Sequence, residues 1–169
     1  LHQKYGFNKF IIAVPSLSIK VGTEQFLNEP YARRHFADIC GYGTEIETLV
    51  LEAPKSRKKG RSYFPGVVSE FVKGSCQNTK KIYVLLVNMQ LLTNEKMLSR
   101  DNYYYGVERF YRPLSASAAT KPVMIIDEPH RFSRDQKAFK VILEEIKPQL
   151  ILRYGATFPE AGRGKHKIY

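Results

Sequence analysis

Three short apolar runs punctuate the chain: Phe10-Ile-Ile-Ala-Val14, Ile82-Tyr-Val-Leu-Leu-Val87 and Val123-Met-Ile-Ile126. Each is continuous rather than alternating, the pattern of a strand buried on both faces of a parallel sheet. Each also stops abruptly, at Pro15-Ser16, at Asn88-Met-Gln90 and at Asp127-Glu-Pro-His130. Thr44 to Leu51 reads as a further strand, Phe64 to Lys73 as another short one, and Gly74 with Asn78 as a turn. Leu150-Ile-Leu152 opens a last strand that emerges at Arg153-Tyr-Gly-Ala-Thr-Phe158.

Between these runs the apolar period lengthens. A turn or short helix should follow Ser16. Pro30 suits a first helical turn, with Phe36 and Ile39 giving part of a buried face before Gly41 and Gly43 stop the element. Ser133 can cap a helix, with Gln136 completing a capping box. Phe139, Ile142, Leu143 and Ile146 then fall at i, i+3, i+4 and i+7 and predict one apolar face, ended by Pro148. Strands alternating with helices predict an α/β fold, an open, mostly parallel sheet in three layers.

The 169 residues suit one domain, and 43% hydrophobic content supports a folded core. Twenty-seven Lys and Arg against 16 Asp and Glu leave a net charge of +11, which favours an anionic partner without naming it. The basic run Pro54-Lys-Ser-Arg-Lys-Lys-Gly60 is either a phosphate contact or a solvated loop. The aromatic stretch at Tyr103, Tyr104 and Tyr105 is either a stacking surface or a packed loop. Cys40 and Cys76 have no zinc-ligand spacing and read as reduced thiols, so a cytoplasmic location is expected. No apolar run approaches the roughly 20 residues of a membrane-spanning helix, so no membrane partner is expected.

The chemistry concentrates where strands end, the usual ligand edge of an open α/β sheet. Asp127 can bind Mg²⁺ directly or through water, and Glu128 can polarise a water for attack on phosphorus. The alternative is two acids that merely end a strand. His130 can relay a proton or a hydrogen bond, and Thr157 can offer it a hydroxyl, while Gly155 and Ala156 permit close backbone approach. Equally, these are a packed histidine and a small-residue exit from a strand.

Taken in order, Lys9-Phe-Ile-Ile-Ala-Val-Pro-Ser-Leu-Ser-Ile-Lys-Val-Gly22, Ile126-Asp-Glu-Pro-His130 and Arg153-Tyr-Gly-Ala-Thr157 resemble motif Ia, the DExH box and motif III of superfamily 2 helicase motors. The run Asp-Glu-Pro-His-Arg-Phe followed by Arg-Tyr-Gly-Ala-Thr resembles more narrowly the restriction subunit of type III restriction-modification enzymes. The resemblance spans nearly the whole chain. It implies a RecA-like P-loop NTPase lobe using ATP and Mg²⁺, with Asp127 on the metal, Glu128 as water activator and His130 as a further catalytic residue. His130, Gly155, Ala156 and Thr157 would couple nucleotide state to DNA. Pro15, Ser16, Lys20 and Gly22 would lie near the nucleic-acid backbone, Ser16 donating to phosphate and Lys20 adding charge; Val87-Asn-Met-Gln90 is a weaker second candidate.

No GxxxxGK[ST] occurs in the chain, so the phosphate loop is expected upstream and residues 1–169 read as a partial first motor lobe, inactive by itself. The parent is expected to hydrolyse ATP on double-stranded DNA and to cut it together with a modification (methyltransferase) subunit. A noncatalytic basic module that binds nucleic acid or protein is the competing reading, and a lobe that binds little until joined to the missing parts is a third.

Overall fold

The continuous apolar runs become the interior strands of one parallel sheet. The computed structural model describes residues 1–53, 64–74, 80–101, 107, 109–129 and 137–155. Its strands are β1 (Lys9–Val14), β2 (Glu45–Val50), β3 (Lys81–Asn88), β4 (Val123–Asp127) and β5 (Leu150–Tyr154), in the order β2-β3-β1-β4-β5, and every neighbouring pair is parallel. The three strongest runs, β1, β3 and β4, occupy the middle. The more polar β2 and the shorter apolar run of β5 take the edges. Helices α1 (His2–Tyr5), α2 (Leu17–Asn28), α3 (Pro30–Cys40), α4 (Gly66–Lys73), α5 (Met89–Leu92), α6 (Pro113–Ala119) and α7 (Lys137–Lys140) flank the sheet, with π-helical stretches at Glu95–Ser99 and Val141–Ile146.

Period-two alternation divides the strand residues between two unequal cores. On one face Ile11, Ala13, Leu85, Val87, Met124 and Ile126 pack with Val68 and Phe71 of α4, Leu114 of α6, and Ile142 and Ile146 of the second π stretch. On the other, Phe10, Ile82, Val84 and Val123 are buried, but Ile12, Ile46, Ile125, Leu150 and Leu152 remain partly exposed.

Buried Lys9 opens β1 beside α4. Its ammonium donates to the Phe71 carbonyl and lies 4.0 Å from the Tyr83 ring centroid, a cation–π contact that offsets part of its desolvation. At the β2 edge, Arg33 Nη2 donates to the Ile46 carbonyl at 2.9 Å, a bond that occupies an outward-facing acceptor of an otherwise open strand. Lys81 bridges to Glu47 at 2.6 Å and Glu45 at 3.7 Å across β2 and β3. The Glu47 hydrogen bond holds its pKa above the ordinary lysine value, although an exposed pair like this adds little stability.

Three expectations are corrected. Residues 66–73 form a helix, not a strand, because Val68, Phe71 and Val72 repeat at helical spacing after Pro65. Leu143 is exposed while Val141 is buried: the π winding of Val141–Ile146 shifts the phase of the apolar face. Phe36 and Ile39 form no buried face, since no residue of α3 is buried. Gly41 does end α3 as read, in the left-handed region at φ +61°. The capping box at Ser133, the basic run 54–60 and the tyrosines at 103–105 lie outside the described residues.

Candidate functional site

Parallel register brings the ends of separate runs to one edge. Ala13 pairs with Ile126, Val14 with Asn88 and Asp127 with Tyr154, so Pro15-Ser16, Asp127-Glu128-Pro129 and Gly155 all leave the same carboxyl edge of the sheet. His130, Ala156 and Thr157 lie outside the described residues.

Asp127 closes β4 and is half-buried. The next residue, Glu128, adopts φ +53°, a left-handed conformation costing about 1–2 kcal/mol for a residue with a Cβ. Its N–H donates to the Tyr154 carbonyl at 2.8 Å, which ties the turn to β5. Strain of this kind at a strand end often accompanies a functional position. On the β5 side a Cβ on Gly155 would lie 2.8 Å from Pro129 Cδ and 3.7 Å from Glu128 Cα. Gly155 therefore packs closely on the Glu128-Pro129 turn. Sequence inspection did not single out Arg153, whose Nε and Nη2 are buried with no hydrogen-bond partner among the described residues; its register partner is Ile126, on the opposite face of the sheet from Asp127.

Ser16 is the N-cap of α2, its Oγ accepting from the Ile19 N–H at 3.3 Å. The cap leaves hydroxyl donor capacity, so it is compatible with a phosphate contact. Lys20 is placed differently from the expectation of a surface charge. It is 5% exposed, and its Nζ donates to the Leu51 carbonyl at 2.7 Å, pinning α2 to the residue that follows β2. A lysine so committed holds structure and is not an open phosphate contact. Gly22 sits within α2 rather than in a turn, exposed, and a Cβ added there would meet nothing within 4 Å. Gly22→Ala is expected to stabilise the chain by about 0.5–1 kcal/mol through helix propensity, read as a higher unfolding midpoint. A lower midpoint would show that the bare backbone is needed there. At the end of β3, Asn88 Oδ1 accepts from the Leu91 N–H at 3.0 Å and caps α5.

Among the described residues there is no cluster of three or more His, Cys, Asp or Glu side chains. Magnesium bound with a nucleotide does not require one, because one or two carboxylates, waters and phosphate oxygens complete its shell. The half-buried Asp127 carboxylate at an interior strand end fits that demand. Among the described residues no helix is long and apolar enough to cross a membrane.

Residues 1–160 match the family described as "Type III restriction enzyme, res subunit". The chain is 41% identical over 171 residues to the Res subunit of the type III restriction-modification enzyme StyLTI of Salmonella typhimurium, covering 99% of this chain and 17% of the relative. It is 44% identical to the EcoP15I Res subunit of Escherichia coli, covering 95% of this chain and 16% of the relative. The EcoPI Res subunit of Escherichia phage P1 is 42% identical over 95% of this chain and 16% of its own length. The chain thus spans about one-sixth of the length of these curated relatives. With a mostly parallel, helix-flanked sheet consistent with a RecA-like P-loop NTPase lobe, the chain belongs to the family of type III restriction enzyme Res subunits.

Proposed function

We propose that residues 1–169 are part of the first RecA-like motor lobe of a cytoplasmic, ATP-dependent type III restriction enzyme. The observation that carries this reading is the β4–β5 edge, where the Asp127-Glu128 pair turns against the backbone of Gly155. Incomplete cover on one sheet face, at Ile12, Ile125, Leu150 and Leu152, supports a lobe completed by chain outside these residues, including the missing phosphate loop.

In this reading Asp127 would hold Mg²⁺, directly or through water. The metal, when bound, offsets charge developing on the phosphate oxygens. Glu128 accepts the proton of the attacking water, and the left-handed turn fixes where its carboxylate departs from the strand. His130 and Thr157 pass the nucleotide state to the DNA-facing side, with Gly155 allowing the two strand ends to approach and Ala156 next to it in the coupling segment. Ser16 and Pro15, at the end of the neighbouring β1, face the double-stranded DNA backbone. Contacts of this kind neutralise phosphates without reading bases, so the motor's own grip on DNA is salt-dependent and nearly blind to sequence. Site choice and cleavage belong to the complex with a methyltransferase subunit.

The test is ATP hydrolysis by the full-length protein with its methyltransferase partner. Duplex DNA is expected to raise turnover, and the stimulation is expected to fall steeply as salt is raised from about 50 to about 200 mM, because released counterions dominate the interaction. Absence of turnover with and without DNA would overturn the motor reading in favour of a noncatalytic binding module.

A further inference from the structure

Asp127 is the last residue of β4, and its register partner on β5 is Tyr154. Residues paired in a parallel sheet project from the same face, and this pair continues the row of Ile125 and Leu152 on the less covered side of the sheet. Neighbouring strands lie about 4.8 Å apart, so the longer of two paired side chains can lean over the shorter. The backbone reinforces the pairing, since the Glu128 N–H donates to the Tyr154 carbonyl at 2.8 Å. Tyr154 is 58% exposed at this exit. Among the described residues neither its hydroxyl nor the Asp127 carboxylate forms a hydrogen bond or ion pair, which leaves a donor and an acceptor uncommitted on paired residues of one face.

We propose that Tyr154 is a positioning residue for the nucleotide-bound metal, its hydroxyl donating to the Asp127 carboxylate oxygen that Mg²⁺ leaves unused. The inference rests on the reading of Asp127 as the metal holder and adds the side chain that fixes that carboxylate. Carboxylates that ligate a metal are themselves hydrogen-bonded, because the second oxygen otherwise lacks a partner and the group is free to turn. The strand neighbours do not offer that bond: Ile125 and Leu152 are apolar, and Arg153 pairs with Ile126 on the opposite face. The demand is mutual. Once bound nucleotide shields this edge from water, a phenol needs an acceptor, and a hydroxyl left unpaired there is costly. A leucine or phenylalanine at position 154 would extend the apolar row of Leu150 and Leu152 and satisfy packing alone, so the hydroxyl is the informative atom.

The test needs no turnover. Binding of a nonhydrolysable ATP analogue to the full-length protein, in complex with the methyltransferase subunit, is measured by calorimetry in saturating Mg²⁺ and in EDTA, and the ratio of the two affinities isolates the contribution of the metal. Tyr154→Phe is expected to weaken binding in Mg²⁺ by about tenfold, the lower end of the usual effect of losing a partner of a metal ligand, with the affinity in EDTA and the unfolding midpoint unchanged. In an Asp127→Asn background the same substitution is expected to cost nothing further, because both changes disable one contact. Wild-type affinity in Tyr154→Phe, with loss confined to Tyr154→Ala, would overturn the inference in favour of a packing role. Equal losses in Mg²⁺ and EDTA would overturn it in favour of a direct contact with the nucleotide. A wild-type protein that binds the analogue equally well with and without Mg²⁺ would instead remove the metal-holding role of Asp127 itself, so the two failures are told apart.

Discussion

Glu128→Gln in the full-length protein is expected to cut ATP turnover by about 10²–10⁴-fold, the usual contribution of a positioned general base, while Mg²⁺-ATP affinity stays within a few-fold. The amide keeps the size of the side chain and the same left-handed backbone at φ +53°, so the variant removes proton acceptance without relaxing the turn. Glycine at this position would confound the result, since it would also release the strain. Asp127→Asn is expected to weaken Mg²⁺-ATP binding itself, because it removes a formal charge from the metal's first or second shell. His130→Ala is expected to keep more nucleotide affinity than Asp127→Asn and to lose DNA stimulation of turnover. Nucleotide affinity by calorimetry and turnover with and without DNA separate the three roles. Near-normal turnover in Glu128→Gln would remove the water-activating assignment.

What the sequence disclosed followed from the physics of burial. Strands β1, β3 and β4 were legible because interior parallel strands are apolar on both faces, and their parallel pairing follows from the helices between them. Once that was read, the meeting of Pro15-Ser16, Asp127-Glu128 and Gly155 at one edge followed from chain direction alone. Helix α6 escaped notice because Pro113-Leu-Ser-Ala-Ser-Ala-Ala119 is too short and too small-sided to show a period. Lys20 misled for a different reason. A lysine has an apolar stem long enough to cross a core and deliver its charge to a carbonyl, and only the packing of α2 on β2 reveals that Leu51 waits there. The left-handed turn at Glu128 was equally hidden, since no glycine marks it; a hydrogen bond from its N–H to the Tyr154 carbonyl of β5 holds it there. For α3, Pro30 and Gly41 marked its ends correctly, but Phe36 and Ile39 predicted a burial that the observed contacts do not supply.

The Gly155→Ala variant tests whether the two strand ends act together. The added methyl would lie 2.8 Å from Pro129 Cδ, closer than carbon atoms tolerate, and the obstacle is a ring fixed to the backbone, not the tip of a flexible side chain. The β5 exit and the Glu128-Pro129 turn must therefore separate. Overpacking of this kind costs about 1–3 kcal/mol, and for a chain of this size each kcal/mol lowers the unfolding midpoint by roughly 2–4 °C. Because the displaced turn contains Glu128, turnover in the full-length protein should fall by more than the loss of folded protein explains: about 1 Å of misplacement can cost on the order of 10²-fold. Pro129→Ala removes the ring carbons that meet the new methyl. In the double variant the stability loss is expected to be smaller than the sum of the single losses, with a coupling of about 0.5–3 kcal/mol typical of residues in contact. Simple additivity would show that the strain of Gly155→Ala is relieved elsewhere, and an unchanged midpoint in the single variant would refute the close approach between the Gly155 exit and the acidic turn.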